Sequence, residues 1–428
     1  MFHPHTQCLI FSCLLELCSN PTPIPPNHPD PACTTISNPP TQPTMSTPTP
    51  PSPSKTGKIL VLPGDHIGPE VVHEALKVLD IIESHRGVKF ERDFDLCGGC
   101  SLDKHRIAST DAVLQKSVEA DAVFFGSAGG PEWGHSVPNP ESGLLRVRQK
   151  MQIFANLRPC YFASRSLIDR SPIKRHLVEG VNFMLIRENC GGAYFGEKVE
   201  REDYGMDPWE YSKGEIERVA RVAGTLAMQT DPPTPVTSVD KANVLANSRV
   251  WRRIVSRVFE QEFPKVKLQH QLADSLSMLF ITQPTRWNGI ILTDNTFGDM
   301  LSDESGGLTG SLGLLPSASL AGPPGGQIGQ NSFGGARGLY EPVHGSAPDI
   351  SGKGLANPVA QVLSLAMMLR YSFNMHHEAE VVEKAVEKVL DAKDIGGHEI
   401  RTGDLGGKAG TKEMSEAIQS EVRRLLKA

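Results

Sequence analysis

Short apolar runs alternating with stretches of helical periodicity constrain this chain most. Lys58-Ile-Leu-Val-Leu62 is followed by Gly64-Asp-His-Ile-Gly-Pro69 and then by an amphipathic stretch through Ile82, with Pro69 suited to a first helical turn. Strand, loop and helix is the economical reading. Ala122-Val-Phe-Phe-Gly126 and Gly289-Ile-Ile-Leu292 read as further buried strands, since a strand covered on both faces loses its polar alternation. The alternation predicts an α/β fold. No Gly-x-Gly-x-x-Gly follows the first strand, so an ordinary Rossmann dinucleotide site is not expected.

A chain of 428 residues exceeds what one hydrophobic core usually serves, which predicts two domains or one large divided domain. Three helical stretches, Gly214 to Gln229, Asn243 to Phe263 and Pro358 to Phe373, carry apolar faces too broad for a lone surface helix, so part of that face is expected against a partner subunit. Glycine and proline between Gly322 and Gly335 mark an irregular surface loop, and no internal repeat is present.

The net charge of -6 and the absence of any basic run argue against nucleic acid or an anionic membrane as partner, and no stretch is apolar enough to span a bilayer. A small-molecule enzyme fits better. Residues 1–56 differ from the rest: proline, threonine and serine dominate from Asn20 to Ser54, and such composition predicts a disordered or extended lead-in. Leu9-Ile-Phe-Ser-Cys-Leu-Leu superficially resembles a signal-peptide core. It lacks a basic flank and is broken by Glu16, so a cytoplasmic enzyme is expected. Cys8, Cys13, Cys18 and Cys33 lie in the lead-in, and Cys97, Cys100, Cys160 and Cys190 are scattered through the body, which is no disulfide framework. Cys97-Gly-Gly-Cys100 has redox or zinc spacing without a second ligand pair, and a structural role is expected.

Asp299 and Asp303 are four apart in Thr-Asp-Asn-Thr-Phe-Gly-Asp-Met-Leu-Ser-Asp. If the segment from Phe297 is helical, both carboxylates share one face and suit a hard divalent cation, the bland alternative being a solvated acidic face. Arg146, Arg148, Arg158 and Arg187 approach glycine-rich turns, and guanidinium forks match the carboxylates of a di- or tricarboxylate. Tyr194, between glycines, and Lys241, before a helix, are candidate acid/base groups, with burial and nearby cations expected to lower both pKa values. The glycine-rich segment from His344 to Asn357 offers backbone amides to a phosphate or adenosine, and Asp349 a carboxylate to a ribose diol.

Taken together, Leu62-Pro-Gly-Asp-His-Ile-Gly-Pro-Glu70, Gly129-Gly-Pro-Glu-Trp133, Phe154-Ala-Asn-Leu-Arg-Pro159, Asp240-Lys-Ala-Asn-Val244, Gly310-Ser-Leu-Gly-Leu-Leu-Pro-Ser317 and His344-Gly-Ser-Ala-Pro-Asp349 resemble the β-decarboxylating dehydrogenase family from about Lys58 to the C-terminus. The resemblance implies the two-domain isopropylmalate/isocitrate dehydrogenase-like fold, with residues 57–153 and 310–428 in one domain carrying the NAD loop and 154–309 in a second carrying dimerisation and metal residues. It implies that Arg148, Arg158 and Arg187 hold malate carboxylates, and that Asp274, Asp299 and Asp303 surround Mg2+ or Mn2+, with Asp274 supplied by the partner of a homodimer. Lys241 would take the hydroxyl proton and Tyr194 would protonate the carbon left by departing carbon dioxide.

By the same resemblance Leu144, Leu145 and Val244 form an apolar pocket for a branched alkyl group. Glu141 would approach the nicotinamide, while His344, Gly345, Ser346, Ala347, Asp349, Ile350 and Asn357 line the adenosine side, the carboxylate favouring NAD over a 2'-phosphate. The implied reaction is NAD-dependent oxidative decarboxylation of 3-isopropylmalate to 2-oxoisocaproate in leucine biosynthesis. Small residues at Cys190 and Ala193 leave a bulkier 3-substituted malate as the alternative. A noncatalytic regulatory subunit is the reading from another class, and it predicts losses in the catalytic set that are absent here.

Overall fold

The computed structural model describes residues 56–134 and 138–427, so the expected lead-in, Thr56 aside, lies outside the described residues. Twelve strands occur among them in chain order: β1 (Thr56–Gly64), β2 (Lys89–Phe94), β3 (Ala122–Ser127), β4 (Ala155–Tyr161), β5 (Asn182–Glu188), β6 (Val199–Arg201), β7 (Tyr204–Met206), β8 (Val236–Asp240), β9 (Leu268–Leu272), β10 (Gly289–Thr293), β11 (Pro316–Leu320) and β12 (Gly338–Pro342). Ten of them form one sheet in the order β2-β1-β3-β12-β11-β4-β5-β10-β8-β9, and β6 and β7 make a separate antiparallel hairpin.

β2, β1, β3 and β12 are mutually parallel, as are β5, β10, β8 and β9. Between the two sets β11 is antiparallel to both β12 and β4, and β4 is antiparallel to β5, so the two parallel sets run in opposite directions. Each set therefore presents its own C-terminal loops, the usual place for ligands in an open α/β sheet.

The expected strand at Lys58 extends to Thr56–Gly64, and the helix after it runs Gly68–Arg86, stopping at the left-handed Gly87. The turn between them requires Gly64: its φ is +73° and a Cβ there would sit 1.9 Å from the Ser127 carbonyl oxygen. The helical stretches expected near Gly214, Asn243 and Pro358 are Lys213–Ala227, Ala246–Glu262 and Val359–Tyr371. The last corrects an expectation, since Val359 through Leu369 are all buried within this one chain, leaving no broad face for a partner. Cys97, Cys100, Cys160 and Cys190 are free thiols, with Cys97 buried beside the turn that Asp65 clamps.

Side-chain parity along the strands separates two faces. Ile59 and Val61 of β1, Phe124 of β3, Leu157 of β4, Ile186 of β5 and Leu292 of β10 share one continuous core on the first face. The alternate positions divide into two smaller cores on the second face, one around Leu60, Leu62, Phe125 and Leu339, the other around Cys160, Phe183, Leu185 and Ile291. Asn156, Arg158, Arg187, Ser317, Ser319 and Glu341 have the parity of the second face and fall where apolar residues stop. The polar cleft is thus a gap between two apolar clusters over one sheet.

Candidate active site

Arg187 ends β5 with its side chain 5% exposed; its Nε donates to Asn295 Oδ1 at 2.8 Å and its Nη1 pairs with Asp299. Its guanidinium lies over the Tyr194 ring, 5.5 Å from the centroid. Arg158, one strand away, donates from Nη1 to Ser302 Oγ at 2.7 Å and Asp303 Oδ1 at 3.0 Å, and from Nε to Asn156 Oδ1 at 2.9 Å. Asn156 is fixed in turn by donating to Ser317 Oγ at 2.8 Å and Ser319 Oγ at 3.0 Å. Arg148, from the helix Glu141–Met151, reaches Glu341 Oε1 at 2.6 Å. Burial depresses Arg187 to about 10, and the charges of Arg158 and Arg148 add to the depression. The trio therefore converges closely enough for like-charge repulsion. Arg146 stands apart, paired with Asp111 at 2.9 Å.

Asp299 and Asp303 lie on the helix Asn295–Thr309, capped by Asp294, which accepts the Phe297 N–H at 2.9 Å. The expected helix is present and the four-residue spacing puts both carboxylates toward the arginines. Burial pushes the Asp299 carboxyl up, but Arg187, the Tyr194 hydroxyl and Arg158 outweigh it and hold it below the usual range. Tyr194 donates to Asp299 Oδ2 at 2.7 Å. Its phenol does not move down as expected: burial, then the Asp299 carboxylate, raise it to about 12. Burial disfavours the charged phenolate, so for an acid that is neutral when protonated it raises the pKa where it would lower that of an ammonium.

Lys241 follows β8 and pairs with Asp274 at 2.7 Å, at the start of the helix Ala273–Thr282. That hydrogen bond is the largest influence holding Asp274 below the ordinary carboxylate range. Among the described residues no three His, Cys, Asp or Glu side chains gather as a cation site within one chain, so Asp274 is not brought to Asp299 and Asp303. Those two still fit a hard cation in donor type: both offer carboxylate oxygens, with Asp303 69% and Asp299 39% exposed at the cleft. Val244 is exposed, whereas Leu144 and Leu145 are half-buried, and Leu144 packs on the core around Leu60.

The expected cofactor loop follows β12. Ala347 adopts a left-handed conformation, φ 42°, before the short helical turn Pro348–Ile350, and Ala347 and Ile350 pack on Ile67, Val71 and Ala356. The Ser346 carbonyl accepts the Ile67 N–H at 3.1 Å, tying the loop to the start of the first helix. His344 Nδ1 is 2.9 Å from the Gly345 carbonyl oxygen while its Nε2 is buried with no hydrogen-bond partner, the kind of atom a nucleobase would satisfy. Asp349 and Gly345 are exposed. Asn357 already accepts the Val359 N–H at 3.0 Å, just before the helix behind it, and donates to Asp404 Oδ2 at 3.0 Å. Glu141 lies against Gly129, whose Cβ position would be 2.6 Å from the Glu141 carboxylate.

Sequence reasoning missed Asn156, Asn295, Ser302 and Glu341, which orient the three arginines. The strand parity of Asn156 with Arg158 was readable; the others approach from distant segments and carry no local signal. It also missed two buried carboxyls behind Arg187. Burial raises Glu188, paired with Arg218 at 3.0 Å, to about 7, and raises Asp294 to about 7 as well.

An open α/β sheet without a Rossmann fingerprint, carrying a buried Arg187 and half-buried Arg148 and Arg158 opposed by carboxylates, has the cleft of a small-molecule enzyme. The profile of the isocitrate/isopropylmalate dehydrogenase family matches residues 58–418, and the chain belongs to that family. A 3-isopropylmalate dehydrogenase of Hapsidospora chrysogena is 58% identical over 370 residues, covering 85% of this chain and 96% of that protein. One of Saccharomyces cerevisiae is 49% identical over 372 residues, covering 86% and 98%. Among solved structures, isocitrate dehydrogenase from Methylococcus capsulatus superposes with a TM-score of 0.72 at 31% identity, covering 86% of this chain and 99% of that one.

Proposed function

We propose that this chain oxidises and decarboxylates 3-isopropylmalate with NAD and a divalent cation, Mg2+ or Mn2+, as a cytoplasmic homodimer in leucine biosynthesis. The observation that carries the reading is the convergence of Arg148, Arg158 and Arg187 with Asp299, Asp303 and Glu341 in one cleft. Three guanidiniums against three carboxylates leave the cleft near neutral. A dicarboxylate arriving with a divalent cation preserves that balance, which lessens the cost of burying either alone.

The cation would be held by Asp299 and Asp303 with Asp274 of the second protomer, and would supply polarisation of the substrate hydroxyl and carbonyl; the nicotinamide would supply the hydride acceptor. Arg148, Arg158 and Arg187 bind and orient the malate carboxylates by paired N–H donors. Lys241 accepts the proton of the substrate hydroxyl, directly or through water. Tyr194, held neutral by its raised pKa, delivers a proton to the carbon that has lost carbon dioxide. Leu144 and Leu145, with Val244, cover the isopropyl group. His344 Nε2 binds the adenine, Asp349 the ribose, and Glu141 orders the nicotinamide end.

The body divides at 153/154 and 309/310, in keeping with the two separate cores on the second face of the sheet. Met278 and Ile281, on the helix Ala273–Thr282, and Met300, on the neighbouring helix, are 59%, 49% and 69% exposed, an apolar face suited to a second copy of this chain. A panel of 3-substituted malates and isocitrate with NAD and NADP at fixed Mg2+ tests the reading. Fastest turnover is expected with 3-isopropylmalate and NAD; a bulkier malate turning over much faster overturns the substrate assignment.

A further inference from the structure

A second concave site lies away from the cleft. An open cavity of about 480 Å³ is lined by Arg170, Lys393, His398, Arg401 and Lys408, opposed by Glu399 and Glu413. None of the residues proposed above for substrate, cation or cofactor lines it. Arg170, Lys393 and Lys408 make no ion pair with any described carboxylate, and the Arg401–Glu399 pair is a loose one at 4.0 Å. Free cations on a convex surface need no explanation, being solvated singly. Gathered in a concavity they repel one another and focus a positive potential that an anion relieves.

The wall is preformed. Gly407 N–H donates to Thr402 O at 2.9 Å and Ala409 N–H to Arg401 O at 3.0 Å, closing a tight turn. Asp404, within that turn, accepts from Thr402 Oγ1, from Ser311 Oγ at 2.6 Å and from Asn357 Nδ2 at 3.0 Å. Arg170, from a remote segment, lays its guanidinium over Gly406, where a Cβ would come within 2.5 Å of Nη1. Glycine there leaves room for the arginine, so the fork is seated on the cavity wall. Arg401 is anchored from below, its side chain 12% exposed and its Nε and Nη2 each 3.3 Å from the Leu390 carbonyl oxygen. Two guanidiniums with two lysines match a tetrahedral phosphate better than a single carboxylate, and the volume admits more than one phosphate unit.

We propose that this cavity binds a small phosphate-bearing anion of at least two negative charges. Two seated guanidiniums and two lysines against two carboxylates leave room for that charge. The site depends on no part of the catalytic reading, because its lining residues are separate.

Titration calorimetry of the full chain with pyrophosphate, in metal-free buffer at low ionic strength, tests it. Lys393→Ala with Lys408→Ala is expected to weaken binding at least tenfold, and Lys393→Arg with Lys408→Arg to retain it within threefold. Arg158→Ala is expected to bind as the parent does, which separates this cavity from the arginine cleft. Succinate is expected to bind at least tenfold more weakly than pyrophosphate. Unaltered turnover of the double alanine variant reports that it folds. No binding by the parent chain, undiminished binding by the double alanine variant, loss through Arg158→Ala, or succinate binding as tightly as pyrophosphate each overturns the proposal.

Discussion

Arg187 and Asp299 form an ion pair at the end of β5, and the second oxygen of the same carboxylate accepts the Tyr194 hydroxyl at 2.7 Å. One carboxylate thus orients the guanidinium proposed to bind substrate and the hydroxyl proposed to deliver the proton, and it is itself a proposed ligand for the divalent cation. Any change at Asp299 should therefore register in both stability and chemistry.

Asp299→Asn leaves Arg187, 5% exposed, without its charge partner. A fully buried pair broken this way costs about 3–5 kcal/mol, but Asp299 is 39% exposed and water screens the loss, so about 1–3 kcal/mol is expected. Urea unfolding without divalent cations measures it. Turnover should fall about 100- to 1,000-fold, with a higher Mg2+ requirement.

Tyr194→Phe should lower kcat about 100- to 10,000-fold, the range for losing a general acid, with little change in KM. With its pKa at about 12, the phenol stays protonated throughout the neutral range, so no alkaline loss of turnover near pH 10 belongs to it. The shift also has a sign for stability. Raised above its ordinary 10.0, Tyr194 contributes stability that is present below that value and disappears as pH climbs through about 12. Unfolding midpoints of the parent chain should show this alkaline decline, and those of the Phe variant a smaller one.

Asp294 titrates in the opposite part of the scale with the same logic. Burial raises its carboxyl from 3.8 to about 7, so between those values the folded chain holds a proton that the unfolded chain releases, and stability falls as pH rises through that window. Asp294→Asn keeps an acceptor for the Phe297 N–H and removes the titration. Its stability should be flatter across the window than the parent's, measured by urea unfolding at a series of pH values.

The strands and helices were readable where the sequence pattern matches the packing: Ile59 to Leu62, Ala122 to Gly126 and Gly289 to Leu292 are apolar because both faces of the sheet are covered. The Asp299/Asp303 spacing was readable because a helix repeats locally. What stayed hidden was non-local. Nothing near Asn295 or Glu341 announces that each bonds an arginine from another segment. The reversal between the two parallel sets depends on β11 inserting beside β4 over a long sequence separation, which no short window records. Tyr194 differs for another reason: its neighbouring cations are legible in the sequence, but burial first and the Asp299 carboxylate second outweigh them and raise the phenol.

The separation of Lys241–Asp274 from the Asp299–Asp303 cluster within one chain leads to the most discriminating prediction. If each active site combines Tyr194 of one protomer with Lys241 of the other, Tyr194→Phe and Lys241→Ala chains are each inactive alone. When unfolded together and refolded at equal ratio, half of the dimers are hybrids, and each hybrid has one site with both lesions and one with none. Activity should return to about one quarter of the parent's, the value set by random pairing in a twofold dimer. Lys241→Ala itself should cost little stability, about 0–1 kcal/mol, because its Asp274 partner is 62% exposed. Adding Met278→Glu and Ile281→Lys to both chains should place charges on the exposed apolar face, shift sedimentation toward the monomer and abolish the recovery. No recovery from well-formed hybrids would place Tyr194 and Lys241 of the same chain in one site, and recovery that persists in monomers would overturn the site shared between protomers.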